Sequence, residues 1–152
     1  MTHVLTTSPS ALQHAVSATV EALFGVCNEI SPSDAQFDLA GAVGISGATT
    51  ATVIVRVDDL ISRRYASEMF GQSESEVTPT DIADALLELT NVLGGAAKTA
   101  LDGECVLTLP WIVPVDERST SEVESEAGHD NVVAYEIYGG TLSVSIVSER
   151  AS

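Results

Sequence analysis

The residues with the clearest potential for chemistry lie at helical spacing in the segment 81–101. At about 100° per residue, its polar members fall within roughly 80° of one another, opposite an apolar stripe. A helix here would bury one face and present carboxylates, an amide, a glycine and an amine on the other. We call these outward residues the polar stripe: Asp84, Glu88, Asn91, Gly95 and Lys98.

A plain solvated face is the ordinary explanation for such a stripe, but two features favour a docking surface. Asn91 is a weak helix former. Gly94 and Gly95 each cost a helix interior roughly 1 kcal/mol relative to alanine. Bare backbone beside Glu88 and Asn91 would let another surface come close.

The spacing of these residues resembles the signature of the CheC/CheX phosphatases. That signature is an Asp or Ser, three residues, Glu, two residues, Asn, about twenty-two residues, then Pro, and Asp84, Glu88, Asn91 and Pro114 stand at those spacings. The stretch 109–114 also resembles the family's strand after the helix. The order of predicted elements is compatible with the family over most of the chain.

The resemblance implies a phosphatase that removes the phosphoryl group from the aspartate of a CheY-like receiver domain. It implies that Asn91 orients the attacking water and that Glu88 pairs with the receiver's lysine. It implies no cofactor of the chain's own, since the receiver brings its Mg²⁺.

The same resemblance makes the remaining stripe residues candidates for partner binding. Asp84 would extend the contact made by Glu88, and Gly94 and Gly95 would allow close approach. Lys98 either meets an acidic patch on the receiver or covers the last turn of its own helix and the helix dipole. Pro114 belongs to the motif but is better explained as shaping a strand end.

The number of sites separates the paralogues of this family. CheC-like members resemble tandem repeats with a Glu-x-x-Asn motif on each long helix. Here the first long helix offers Glu21, but Phe24 stands where the asparagine is needed. A single site is more like CheX, whose resemblance implies a homodimer.

The elements that must position the stripe follow from periodicity and capping. Their order indicates an α+β fold, an antiparallel sheet with long helices packed on one face. Asp58 or Asp59 caps the short helix, and Thr80 caps the helix of the stripe. The predicted helices are 10–28, 60–70 and 80–101; the predicted strands are 37–45, 50–57, 106–115 (broken by Pro110 and Pro114), 133–137 and 142–146, with a Gly139-Gly140 turn.

Length and charge bound the classes of function. The 152 residues fit one domain, 1–152, with an N-terminal tail at 1–9 and an exposed acidic loop at 116–130. A net charge of −16 with 6 Lys and Arg disfavours nucleic acid and anionic membranes as partners. No signal peptide or membrane-spanning run is present, so we expect a cytoplasmic protein. Cys27 and Cys105 lack metal-ligand spacing, and we expect reduced, mostly buried thiols.

No competing catalytic constellation is present in the sequence. The three histidines are scattered, and no zinc-protease, serine-hydrolase or phosphate-loop motif occurs. Two rival functions stay open: a non-catalytic module that binds a receiver or another signalling protein, and a purely structural dimerisation domain.

Overall fold

The computed structural model describes residues 9–32, 35–101, 103–114 and 132–148. Over these ranges the chain forms three helices and seven strands. The helices are α1 (Pro9–Phe24), α2 (Asp59–Phe70) and α3 (Pro79–Lys98). The strands are β1 (Asn28–Ile30), β2 (Leu39–Gly47), β3 (Ala51–Val57), β4 (Cys105–Leu107), β5 (Trp111–Val113), β6 (Val132–Ile137) and β7 (Gly140–Ser148).

All seven strands belong to one antiparallel sheet. Its order is β1-β6-β7-β3-β2-β4, and β5 also pairs with β2, so β4 and β5 share one edge of the sheet. The break between β4 and β5 falls at Pro110, as the sequence predicts, because proline cannot donate a ladder hydrogen bond. The predicted α+β fold is confirmed.

The main hydrophobic core lies between one face of the sheet and the helices. It joins α1 and α3 side chains to alternate residues of β2, β3, β6 and β7. A smaller cluster on the opposite face contains strand residues alone, so the described helices pack on one face. Its members are Ala40, Ala42 and Ile54, with Val113 and Val147 packed against them.

Two hairpins and a capped helix follow the sequence closely. The β6–β7 turn has positive φ at Tyr138 (50°) and Gly139 (86°), which is the pattern of a type I′ turn. The predicted Gly139-Gly140 turn is therefore wrong by one residue, because Gly140 already pairs with Ile137 as the first residue of β7. Of the two candidate caps for α2, Asp58 is the one used: its carboxylate accepts from the Ile61 N–H at 2.9 Å. Gly71 ends the helix in the left-handed conformation, with φ 65°.

The first helix is shorter than its periodicity predicts. It ends at Phe24 and not near Asn28, because Gly25 takes a left-handed conformation with φ 80°. The residues that follow form β1, whose Asn28–Ile30 pair with β6. This strand was not predicted, since three residues are too few for an alternation signal.

Two predicted segments fall wholly or mostly outside the described residues. They are the acidic loop at 116–130 and the N-terminal tail, of which Pro9 alone is described and begins α1.

Candidate functional site

Helix α3, which carries the polar stripe, begins with a capping box. The Thr78 hydroxyl accepts from the Asp81 N–H at 3.1 Å, and the Thr78 N–H donates to the Asp81 carboxylate at 3.0 Å. Pro79 follows at the first helical position, where no donor is needed. The prediction of Thr80 as the cap is wrong by two residues, because Thr78 has a carboxylate three positions later and Thr80 does not.

The end of α3 tightens before the chain leaves the helix. The helix ends at Lys98, three residues before the predicted end at Leu101. The next residues continue with shorter-range bonds, from Thr99 N–H to Ala96 C=O at 3.2 Å and from Leu101 N–H to Lys98 C=O at 3.0 Å. Such i→i+3 bonds are common in the last turn of a helix. The predicted end at Leu101 therefore includes residues with these tighter bonds, whereas the α-helical bonds stop at Lys98.

Close backbone packing seats α3 on β2. Thr90 is fully buried and donates its hydroxyl to the Leu86 C=O at 2.6 Å. It lies so close over Gly41 that a Cβ on that glycine would overlap the Thr90 hydroxyl. A Cβ on Gly94 would likewise lie 2.5 Å from the Val43 side chain. These two contacts fix the rotation of α3 about its axis, and with it the direction of the polar stripe.

The polar stripe points away from the sheet, as the spacing predicts. Asp84, Glu88 and Asn91 are exposed, and Gly95 and Lys98 are partly exposed. None of the four side chains makes a hydrogen bond or an ion pair with another described residue. The stripe therefore offers two carboxylates, an amide and an amine that the described fold leaves available.

The two adjacent glycines of α3, Gly94 and Gly95, have different surroundings. Gly94 is buried, and its lack of a side chain is explained by Val43 beneath it. Gly95 has no described heavy atom within 4 Å of where its Cβ would be. The prediction that bare backbone serves a partner therefore stays open for Gly95, whereas Gly94 has a packing reason within the fold.

Tyr65 belongs to α2, which packs beside α3. Its ring packs against the main core and against a smaller cluster between α2 and α3 that contains Ala66 and Ala85. The rings of Tyr65 and Phe24 have centroids 6.1 Å apart. Burial raises the pKa of the Tyr65 hydroxyl, and the carboxylates of Glu88 and then Glu68 raise it further. The phenol therefore stays neutral, and the sequence did not single Tyr65 out.

The sheet edge formed by β4 and β5 carries large exposed apolar side chains. Leu109 is 87% exposed and Trp111 46%. Pro114, the last residue of the family motif, is exposed directly after β5. Its position fits a role in ending the strand.

Helix α1 lacks a second copy of the site. Glu21 is exposed, but Phe24 is only 6% exposed and belongs to the main core. A phenylalanine packed against Tyr65 presents no amide to a partner. The expected absence of a second Glu-x-x-Asn site is therefore a property of packing as well as of sequence.

The outer face of α1 bonds to the sheet. The Gln13 amide donates to both oxygens of Glu29, at 2.7 and 2.6 Å. The Ser17 hydroxyl lies 2.7 Å from the Tyr135 hydroxyl, and it donates to Glu29 at 3.2 Å. A surface cleft of about 420 Å³ runs along these residues. Gln13 and Glu29 already bond to each other, and His14 and Glu21 also line the cleft, so the cleft offers no unbonded amide beside a carboxylate as the stripe does.

The described residues offer no group of three or more metal-ligating side chains. Cys27 and Cys105 are free and partly buried. Burial raises the pKa of the Cys27 thiol more than its hydrogen bond with Ser17 lowers it, and the Glu29 and Glu21 carboxylates raise it further. A neutral, half-buried thiol is a poor nucleophile.

The sequence of the chain also matches the model of a known protein family. The family model "Chemotaxis phosphatase CheX" matches residues 39–131, more than half of the chain, and includes all of α3. The chain belongs to the CheX family. No curated protein sequence matches the chain.

Solved structures share the fold at low sequence identity. A complex of CheX with CheY, BeF3 and Mg²⁺ from Borrelia burgdorferi matches with a TM-score of 0.69 and 18% identity, covering 92% of this chain and 96% of that one. CheX from Vibrio vulnificus gives 0.66 and 17%, covering 92% and 95%. FliY from Thermotoga maritima gives 0.55 and 18%, covering 91% and 84%. No helix within the described ranges is long and apolar enough to cross a bilayer.

Proposed function

We propose that this protein is a phosphatase that hydrolyses the phosphoaspartate of a CheY-like receiver domain. The observation that carries the proposal is the pair Glu88 and Asn91, exposed and unbonded to other described residues on a helix seated by close packing. Membership of the chemotaxis phosphatase family supports the reaction class. A solved relative was crystallised as a CheX complex with CheY, which supports the class of partner.

Asn91 orients the water in this mechanism. The phosphoaspartate is an acyl phosphate, and hydrolysis requires water in line behind phosphorus while the bond to the acyl oxygen breaks. The products are inorganic phosphate and the free aspartate carboxylate. A carboxamide holds the water because it offers a donor and an acceptor in fixed geometry and does not titrate. Positioning of this kind lowers barriers by several kcal/mol.

Glu88 sets the register of the complex. It lies one turn from Asn91 on the same face, where its carboxylate would pair with a lysine of the receiver. Asp84 extends this contact by one more turn, and Lys98 meets the partner at the opposite end of the stripe. The chain needs no metal of its own for these steps, because the receiver contributes its Mg²⁺ to neutralise the phosphoryl oxygens.

The test is a dephosphorylation assay with the whole chain. Receivers encoded in the same genome are phosphorylated with acetyl phosphate, freed of donor, and followed with and without the protein. We expect one receiver to lose phosphate faster. Asn91→Ala should reduce the acceleration about 100-fold or more, as expected for the loss of one positioned group in an active site.

The control for this variant is its circular dichroism, which should stay unchanged because Asn91 is exposed, and its melting temperature, which should not fall because alanine favours the helix. Near-normal activity of a folded Asn91→Ala protein would remove the mechanism. Binding of a phosphorylated receiver without acceleration would favour the non-catalytic module instead. Failure to bind any phosphorylated receiver would favour a structural dimerisation domain.

We further propose that the protein is a homodimer. The support is the exposed apolar edge of the sheet, since soluble monomers seldom leave such side chains together in water. The residues concerned are Val106, Leu109, Trp111 and Ile112. Sedimentation equilibrium should give twice the mass of the chain, and Leu109→Glu should lower it. A monomer at tens of micromolar would contradict this.

A further inference from the structure

Gly95 is a helical glycine for which the described fold supplies no packing reason. Every other described glycine is explained by its own surroundings. Gly25, Gly47, Gly71, Gly103 and Gly139 have positive φ, which favours glycine. At the remaining positions a Cβ would lie closer than 3.0 Å to a neighbour: Gly41, Gly44, Gly94 and Gly140. Gly95 has neither a positive φ nor a neighbour within 4 Å.

Its position makes this absence informative. Gly95 lies four residues after Asn91, so the two are neighbours on the same face of α3, about one turn apart. Alanine there would favour the helix and meet open space. A residue that weakens the helix with no return inside the fold is expected where another molecule needs the space.

We infer that Gly95 admits the receiver to close docking, by leaving the α3 backbone bare for a main-chain segment of the partner beside its phosphoaspartate. The inference rests on the proposed function and deepens it. A side chain at position 95 would hold the partner's backbone away from α3. The complex in which Asn91 reaches the phosphoryl group would then form less readily, so docking would weaken.

The experiment compares stability and docking in the same variants. The substitutions Gly95→Ala and Gly95→Leu are made in the whole chain. The probe is the acetyl-phosphate-labelled receiver whose decay the wild-type protein accelerates. Gly95→Ala should raise the melting temperature by about 2–4 °C, because alanine favours the helix.

Docking should become weaker although the protein becomes more stable. KM should rise about tenfold for Gly95→Ala and more than about 100-fold for Gly95→Leu, as expected from steric separation at an interface. The kcat of Gly95→Ala should stay within about twofold, since Asn91 still completes the site once the partner is bound. Ala18→Leu is the matched control, because it adds bulk to the exposed face of α1 and should change neither constant.

The outcomes separate this inference from the proposed function. If the Gly95 variants retain the wild-type KM while Asn91→Ala is inactive, the inference is overturned and the phosphatase stands. A lower melting temperature for Gly95→Ala would also overturn it, because it would reveal a role inside the fold. If the wild-type protein accelerates no receiver, the proposed function fails and this inference fails with it.

Discussion

Helices α1 and α3 lie on the same face of one sheet, yet they treat their outward polar side chains in opposite ways. On α1, Gln13 and Ser17 bond to Glu29 and Tyr135 of the sheet. On α3, Glu88 and Asn91 make no bond to another described residue. Gln13 and Ser17 tie α1 to the sheet, whereas Glu88 and Asn91 leave the outward face of α3 without a bond to the rest of the described fold. The comparison supports the proposal that α3, and not α1, acts on another molecule.

The two helices also reach the core by different means. Apolar side chains of α1 fill the space above the sheet, and Phe24 is the last of them. By contrast, α3 approaches β2 closely where Gly41 faces Thr90 and Gly94 faces Val43. A close approach of this kind leaves α3 less freedom to tilt, which would suit the proposed role of Asn91 in orienting water.

The largest expected effect comes from giving α1 the motif of α3. Phe24→Asn restores the Glu-x-x-Asn spacing with Glu21, but it removes a core aromatic ring. We expect a loss of about 3–5 kcal/mol in the free energy of unfolding, the range for large-to-small changes of buried aromatics. Urea denaturation measures it. An unchanged urea midpoint, or a second active site on α1, would show that the core does not require Phe24.

The next effect distinguishes the two adjacent glycines. Gly94→Ala inserts a methyl group against Val43, and overpacking of this kind costs about 1–3 kcal/mol. The gain in helix propensity offsets roughly 1 kcal/mol of that. Thermal unfolding should therefore show a less stable or unchanged Gly94→Ala protein beside a more stable Gly95→Ala protein. A more stable Gly94→Ala protein would contradict the close seating of α3.

A smaller effect compares equivalent glutamates on the two helices. Glu88→Gln keeps the shape and removes the charge, so KM for the phosphorylated receiver should rise about tenfold, or ~1.4 kcal/mol. Glu21→Gln is the matched change on α1 and should leave KM unaltered. Steady-state kinetics on both proteins provide the comparison. Equal changes in the two variants would mean that net charge, and not the stripe, guides docking.

The smallest effect concerns the anchor of α1 at high pH. Burial raises the pKa of Tyr135 above its ordinary value near 10, and the hydrogen bond with Ser17 lowers it only in part. The folded protein therefore keeps this proton after the unfolded chain has lost it. Stability present below about pH 10 should fall as pH rises, by at most ~1.4 kcal/mol per pH unit from this group.

Urea denaturation between pH 9 and 11 measures this slope (the pH range is set by the ordinary tyrosine pKa of about 10). Tyr135→Phe provides the control, because it lacks the titrating group. The variant should be less stable at neutral pH, where it loses the bond with Ser17, but its stability should fall less steeply. Parallel slopes for the two proteins would mean that Tyr135 ionises equally in both states.

Much of the candidate site follows from the sequence because it depends on local geometry. Helical spacing alone places Glu88 and Asn91 on one outward face, and the structure agrees. Alternating strands around a glycine pair also predicted the β6–β7 hairpin, although its turn lies one residue earlier than predicted. The predicted roles of the stripe residues toward a receiver stay predictions, and the acidic loop at 116–130 lies outside the described residues.

Other features could not be read from the sequence because they depend on contacts between distant segments. The sequence does not distinguish Gly94 from Gly95. Only the structure shows that Val43 packs beneath Gly94, whereas a Cβ on Gly95 would meet open space. Likewise, α2 packs beside α3, which brings Tyr65 close enough for the Glu88 carboxylate to raise its pKa. Short strand β1 exists because β6 offers it a ladder. Periodicity determined which way each side chain faces, and tertiary packing decided what stands opposite it.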